Sequence, residues 1–292
     1  MEYADQYHQI SRKSLRQAAR GLAVSALAVE SGVTGKSAAA LRRPRVHFLY
    51  LHHVFADEEQ GFSRFIQRLQ RGHQIISHSD AVRRIKSGAI DRPYVSIGLD
   101  DGIKSGLRAA KILEDCGVTG CFFVCPGIVG EKDENKVARF CRERLALPLV
   151  EFMSWEQLER LRRAGHEIGS QTTSHLSLAA LSGQQLSDEV AGSREILQRR
   201  LGEARHFAWP YGTFAHFSPE ARKEVFAAGY ESCASGVRGC HVTKHTGGLD
   251  ELCIRRDHVI AGWPLSHTTY FVARSSRRAS AEENKWPPEL QT

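Results

Sequence analysis

The chain has 292 residues and a formal net charge of +7, with 41% hydrophobic and 25% charged residues. This length and composition fit one large globular domain or two small ones, and they exclude a disordered, collagen-like or fibrous protein. The sequence has no run of about eighteen uncharged apolar residues, so it does not predict an integral membrane protein. Seven cysteines with irregular spacing favour a reducing compartment over a disulfide framework.

Residues 1–45 are predicted to form a basic helical extension. Basic residues precede an apolar run from Gly21 to Val29, and positions 15, 19, 22, 26 and 29 share one helical face. Three interpretations compete: a helix that packs on the domain, a helix that contacts a membrane surface, and a weak signal peptide. We expect a cytoplasmic protein, with peripheral membrane contact under the second interpretation and export under the third.

The central part, residues 46–273, alternates between strand and helix patterns. Short apolar runs bounded by Gly or Pro are typical of strands buried on both faces. Strands are predicted at residues 46–51, 94–99, 120–125, 166–169, 206–209, 230–233 and 253–259. Helices are predicted to begin near residues 104, 154, 182 and 218. This alternation predicts parallel strands in a closed or nearly closed α/β barrel, and the polar stretch 274–292 is predicted to be a mobile tail.

Two polar clusters after predicted strands fit either ordinary polar turns or a metal site. Asp100 and Asp101 follow one strand, and adjacent carboxylates at a buried strand end are costly unless they share a cation or a proton. Gln171 and His175 follow another strand and are four residues apart, so one helical turn would place both on one face. An imidazole, an amide oxygen and a carboxylate could together bind a divalent ion.

Other clusters at strand ends fit either rigid turns or a substrate wall. Trp209, Pro210 and Tyr211 follow the predicted strand at 206–209 and could shape a surface for a sugar. His52 ends the first strand, and Arg256 lies in the last. We assign the Trp, the Pro and this Arg to substrate binding. Because the carboxyl ends of barrel strands share one face, all five clusters predict one active site.

Together these motifs resemble the NodB-type polysaccharide deacetylases, carbohydrate esterase family four, over residues 46–262. Residues 94–102 resemble the first motif of the family, a strand that runs into Asp-Asp-Gly. Residues 165–178 resemble its second motif, and residues 207–212 resemble its third, Phe-x-x-Pro-Tyr-Gly. The resemblance implies a distorted, incomplete (β/α) barrel and a divalent metal, usually zinc.

The resemblance also implies roles for individual residues. Asp101 and His175 match two of the three metal ligands of the family. Asp100 matches the base that takes a proton from the attacking water. The metal and the backbone N–H of Tyr211 would then stabilise the oxyanion.

Two positions depart from the family pattern. Gln171 stands where the first metal-binding His is expected. Three outcomes fit: Gln171 ligates the metal weakly, a nearby His such as His52 replaces it, or the site holds little metal. Ala208 stands where an Arg usually orients the base, and Arg256 would supply that charge from another strand. His52 and His267 are the candidates for the general acid.

The leading hypothesis is a metal-dependent hydrolase that removes N-acetyl groups from a polysaccharide, a glycan or a lipid-linked sugar precursor. One alternative is a catalytically lapsed glycan-binding protein of the same fold. Another alternative is a deformylase-like C–N hydrolase that acts on a non-polymeric amide. Paired arginines are dispersed along the chain, so we expect no contact with nucleic acid.

Overall fold

The computed structural model describes residues 2–11 and 15–291. Its strands are β1 (Arg45–Leu51), β2 (Gln74–Ile75), β3 (Pro93–Leu99), β4 (Cys121–Val124), β5 (Glu167–Ser170), β6 (His206–Ala208), β7 (Ser232–Ala234), β8 (Cys253–Ile254) and β9 (Arg256–His258). Its helices are α1 (Tyr7–Ile10), α2 (Leu15–Val33), α3 (Lys36–Arg42), α4 (Glu59–Gln70), α5 (His78–Ser87), α6 (Gly106–Asp115), α7 (Glu134–Phe140), α8 (Trp155–Arg163), α9 (Gly183–Leu201), α10 (Pro219–Ala227) and α11 (Leu265–Arg278).

The strands form one parallel sheet that nearly closes on itself. Its order is β8-β7-β6-β5-β4-β3-β1-β9, and β2 pairs with β3 beside this path. The two strands at the ends of the order, β8 and β9, are separated in the chain by Arg255 alone. The two edges therefore lie next to each other, which confirms the predicted nearly closed α/β barrel.

Alternate side chains of the long strands enter two different cores. On β1, Leu49 and Leu51 belong to a cluster with apolar residues of the surrounding helices. Val46 and Phe48 belong to a second cluster with interior residues of other strands, among them Phe123. This alternation follows from the period of two in a strand, and it explains why every side chain of β1 is buried.

The N-terminal helix α2 packs on α11, but not through the predicted apolar face. Among its described side chains, from residue 18 onward, the buried ones are Val24 and Ser31. Its exposed large apolar side chains are Leu22, Leu27, Val29 and Val33. The face with Val24 and Ser31 therefore packs against neighbouring helices, and much of the predicted apolar face is turned to solvent. The basic residues Arg12 and Lys13 lie outside the described residues.

Across the parts of the chain that the structure describes, no helix is both long and apolar enough to span a membrane.

The end of the chain is packed on the barrel, where we expected a mobile tail over residues 274–292. Helix α11 continues to Arg278, and Trp286 beyond it is 2% exposed. The Trp286 ring stacks on Trp209 and Phe217, with centroid distances of 5.7 and 5.4 Å. The polar composition of the segment concealed this aromatic anchor and the buried Leu290 that follows it.

Candidate active site

Asp100, directly after β3, is held by a buried guanidinium. Its two carboxylate oxygens accept hydrogen bonds from Arg256 of β9 at 2.9 and 2.8 Å, and Nε of Arg256 donates to the carbonyl of Ser235 at 2.7 Å. Burial acts to lower the pKa of Arg256, but the charge and hydrogen bonds of Asp100 outweigh it and raise that pKa. Of the two roles predicted for Arg256, this geometry supports orientation of Asp100 over contact with the substrate.

Asp101 and His175 face each other beside this ion pair. Oδ1 of Asp101 lies 3.3 Å from Nε2 of His175, and both side chains are buried. Burial acts to raise the pKa of Asp101, but the His175 ring and the charges of His52 and His53 lower it overall. Among the described residues, neither Oδ1 of Asp101 nor Nδ1 of His175 has a well-aligned hydrogen-bond partner. A buried carboxylate oxygen without a donor is an atom that a cation would satisfy.

The donor atoms fit a divalent ion with two protein ligands. The 3.3 Å between Asp101 and His175 is close to the separation of two ligands on one tetrahedral ion, with bonds of about 2.0–2.1 Å. The predicted third ligand, Gln171, instead accepts a hydrogen bond from the Asp101 N–H through Oε1 at 2.6 Å. Within residues 2–11 and 15–291, no group of three His, Cys, Asp or Glu side chains could hold a metal. Gln171 therefore positions the Asp101 backbone.

The turn after β6 presents Tyr211 to the site and buries its neighbours. Tyr211 is 45% exposed, and its backbone N–H has no hydrogen-bond partner in the described part of the chain. Trp209 is fully buried, its ring stacks on Phe217 at 4.4 Å, and its Nε1 donates to the carbonyl of Thr213 at 3.0 Å. Pro210 is also buried. Trp209 and Pro210 therefore support the turn. Trp209 also lines the cavity, so its role as a substrate contact stays a prediction, whereas Pro210 does not line it.

Left-handed backbone is concentrated at this site. Among the described residues, the non-glycine positions with positive φ are Asp101, Ala146, Thr172, His175 and Tyr211. Four of them line the cavity that is described below. The fifth, Thr172, is buried. A left-handed conformation costs about 1–2 kcal/mol for a residue with a side chain. The surrounding fold holds these residues in a strained conformation, and that conformation sets the direction of their functional groups.

The two predicted candidates for the general acid have different surroundings. Nδ1 of His52 lies 3.1 Å from Nε2 of His258, and His52 borders the cavity. Burial and the neighbouring His52 lower the pKa of His258 to about 2, so His258 is neutral. His267 lies on α11, is bonded to Ser25 at 2.8 Å and does not border the cavity. His267 is therefore excluded as an acid at this site.

A second His near the site was missed by the sequence reasoning. Nδ1 of His53 lies 2.8 Å from the carboxylate of Glu58, which is 1% exposed. This carboxylate also accepts the backbone N–H groups of Phe55 and Gly262, both at 3.1 Å. The Tyr7 ring of α1 lies 5.6 Å from the His53 ring. The acidic residues 57–59 after the two histidines were the available signal for this pair. Such a run is more often the solvated first turn of a helix.

These groups open into one cavity of about 980 Å³. This volume lies at the upper end of the range for small-molecule sites. Two walls of the cavity come from segments that the motifs did not suggest. They are the N-terminal segment with Tyr7, Gln9, Ile10 and Ser11, and residues 144–148.

A sequence-profile comparison identifies a family with this set of motifs. The profile described as "Polysaccharide deacetylase" matches residues 87–233, which is half of the chain. The matched range includes Asp100, Asp101, Gln171, His175 and Tyr211. A search of curated proteins found no match.

Solved structures with the same fold cover most of this chain. IcaB from Ammonifex degensii has a TM-score of 0.60 at 21% identity, over 80% of this chain and 97% of that one. A de-N-acetylase from Aggregatibacter actinomycetemcomitans has a TM-score of 0.62 at 18% identity, over 78% and 99%. The Streptococcus pyogenes deacetylase PplD in complex with acetate has a TM-score of 0.62 at 14% identity, over 79% and 98%. At these identities the likeness shows the fold.

Proposed function

Since the chain belongs to the polysaccharide deacetylase family, we propose that it hydrolyses the N-acetyl groups of a carbohydrate and releases acetate. The family and the barrel predicted from the motifs are confirmed. One observation carries the proposal: the oriented Asp100–Arg256 pair lies beside the unsatisfied Asp101–His175 pair in a cavity large enough for a glycan.

The side chains of this cavity supply the parts that amide hydrolysis requires. Asp100, oriented by Arg256, would accept a proton from the attacking water. The free backbone N–H of Tyr211 would donate to the oxyanion that forms on the acetyl carbonyl. The edge of the Tyr211 ring lies against His175, with a centroid distance of 5.0 Å, and this contact positions the turn over the pair.

Asp101 and His175 would hold a divalent ion. When bound, such an ion supplies a Lewis acid beside Asp100. Zinc was our prediction, but zinc sites usually combine three or four nitrogen, sulfur or carboxylate ligands. With one carboxylate and one imidazole, we expect harder divalent ions to compete well with zinc.

The two alternative functions make different predictions for this site. A lapsed glycan-binding barrel has no need to keep the Asp100–Arg256 pair, so the retained pair supports an active enzyme. A deformylase-like hydrolase would use the same groups, and the identity of the released acid distinguishes it.

The cellular setting remains a proposal. We propose a cytoplasmic enzyme that acts on a lipid-linked precursor or a small glycan, with α2 in contact with the membrane surface. The exposed Leu22, Val29 and Val33 support this arrangement, since an interfacial helix needs an apolar face. Co-flotation with anionic lipid vesicles tests the contact, and protease protection of the protein in cells tests export.

The test of the proposed function is acid release from a partly N-acetylated glucosamine oligomer. Acetate and formate would be measured separately, with and without added divalent ions, for the parent, Asp100→Asn and Asp101→Ala. Acetate from the parent, lost in both variants, is expected. The matched control is Asp115→Asn on the surface of α6, which should behave as the parent. Absence of both acids with every ion tested would overturn the proposal.

A further inference from the structure

The His53–Glu58 pair has the arrangement of a proton-transfer dyad. Glu58 is buried and binds the Nδ1 side of the ring, while two backbone N–H groups fix the same carboxylate. Because a carboxylate accepts hydrogen bonds, Nδ1 carries a hydrogen in both protonation states of the ring. Nε2 is therefore the atom that gains or loses a proton.

Nε2 of His53 is available to a substrate. The His53 side chain is 11% exposed and borders the cavity together with Asp100, Asp101 and Tyr211. No hydrogen-bond partner of Nε2 occurs among the described residues. The ring is held in place by Phe55, which stacks on it at 4.6 Å, and by Tyr7.

Other imidazoles of the cavity are less suited to donate a proton. His52 is hydrogen-bonded to the neutral ring of His258, and no carboxylate is hydrogen-bonded to it among the described residues. Nε2 of His175 faces Asp101. His53 is also not part of any three-residue group that could hold a metal within the described chain. Of these rings, His53 is the one whose Nδ1 is paired with a buried carboxylate while its Nε2 has no partner in the described chain.

We propose that His53 is the general acid of the deacetylation and that Glu58 is its positioning residue, an inference that rests on the proposed function. Asp100 takes one proton from water as the C–O bond forms on the acetyl carbon. When the C–N bond breaks, its electron pair stays on nitrogen and Nε2 of His53 gives its proton to that nitrogen. Amine and acetic acid leave, and exchange with solvent returns Asp100 to the carboxylate and His53 to the imidazolium.

Several charged and titratable groups surround the dyad from the neighbouring elements. Asp57 accepts the Tyr7 N–H at 2.7 Å and lies 3.8 Å from the His8 ring. The groups to be considered in any pH profile are Tyr7, His8, Asp57, Glu58, Asp101, His52 and His258.

A comparison of two substrates tests the role of His53. An N-acetylated glucosamine oligomer needs a proton on its leaving amine, whereas 4-nitrophenyl acetate releases a stable phenolate without one. His53→Gln is expected to slow release of acetate from the oligomer by about 10²–10⁴-fold, the usual contribution of a general acid, and to slow the ester by less than about threefold. Asp100→Asn should slow both substrates, and His52→Gln is the matched comparison at the neighbouring imidazole.

The role of Glu58 is tested by the pH profile. Glu58→Gln removes the charge that stabilises the imidazolium and keeps the shape of the side chain. The alkaline limb of kcat/KM for the oligomer should move to lower pH, because a neutral amide no longer favours the charged ring. A purely structural role would lower activity at every pH without moving the limb. Thermal melting of each variant establishes that it is folded.

Different failures have different meanings. If the parent is active and His53→Gln slows both substrates equally or neither, or if His52→Gln alone shows the selective loss, His53 is not the acid and the proposed function stands. If the parent releases acetate from neither substrate, the proposed function fails and this inference fails with it.

Discussion

The carboxylate of Asp100 and the guanidinium of Arg256 are paired at two points although 156 residues separate them in the chain. Their strands β3 and β9 are not neighbours, because β1 lies between them. The Arg256 side chain crosses over the ring of Tyr50 on β1, at 4.3 Å from its centroid. The charge that orients the base thus reaches it through the interior of the barrel.

The geometry of this pair predicts that charge alone is insufficient at position 256. Arg256→Lys keeps the positive charge but cannot make two parallel hydrogen bonds to Asp100. We expect acetate release to fall about 100-fold, since small displacements of a catalytic group have effects of that size. Steady-state assays and urea unfolding of the same samples would separate activity from stability. Arg255→Lys is the matched control at the preceding residue, and an equal loss in both variants would contradict the role of Arg256.

The missing imidazole at Gln171 can be restored. Gln171→His places a nitrogen ligand beside Asp101 and His175, and three ligands suit zinc better than two. We expect the variant to retain more zinc after dialysis than the parent, as measured by mass spectrometry of the metal content. Gln171→Asn, which keeps an amide, is the control and should gain none. If the histidine variant also gains no zinc, the pair is not part of a metal site.

Glu167 and His206 lie at the amino ends of β5 and β6. Their interaction predicts that the free energy of unfolding falls in acid. Glu167 accepts the backbone N–H groups of His78 and Ser79 at the start of α5 and lies beside His206. Burial acts to raise its pKa, but His206, His78 and Ser79 outweigh burial and lower it from 4.5 to about 2. A lowered pKa stabilises the fold above the ordinary value, and this stabilisation is lost as the pH falls towards 2.

Glu167→Gln should therefore be less stable than the parent by roughly 3 kcal/mol near pH 6. The difference should narrow below pH 4.5 and vanish near pH 2. Urea unfolding at several pH values measures it. Glu231→Gln is an exposed control and should differ from the parent by less than about 0.5 kcal/mol. A difference that does not change with pH would show that the charge of Glu167 is irrelevant.

The packed C-terminal segment predicts a stability effect far from the catalytic groups. Trp286→Ala removes a ring that stacks on Trp209 and Phe217. We expect a loss of about 3–5 kcal/mol in the free energy of unfolding, the usual range for a buried aromatic side chain. Lys285→Ala at the exposed neighbour should have almost no effect. Equal stabilities of the two variants would mean that the segment is not held in solution as the structure places it.

Much of the barrel could be predicted because its strands are continuous apolar runs. Asp100, Asp101 and His175 were also predictable, since parallel strands bring their carboxyl ends to one face. The weak strand at 230–233 shifted to Ser232–Ala234, and the last run divided into β8 and β9 at Arg255. Short runs carry too little periodicity to fix such boundaries.

The contacts of individual side chains could not be predicted in the same way. Trp209 follows a strand as Tyr211 does, yet the Trp ring packs into a cluster completed by Trp286, which lies far along the chain. The apolar positions of α2 suggested which face would pack. Instead, the face with Val24 and Ser31 is buried where α2 packs on α11. The His53–Glu58 pair depends on the turn between β1 and α4, and the acidic run alone does not specify that turn.

The left-handed backbone at Asp101, Thr172, His175 and Tyr211 has a consequence for engineering. Glycine is the residue that adopts this conformation without strain, so Thr172→Gly would relieve strain in the folded chain. It would also remove the hydroxyl that binds the His175 N–H at 3.0 Å. Selection for thermal stability alone would favour glycine at such positions. The catalytic rate would then fall, because the substitutions that stabilise the fold here also displace the functional groups.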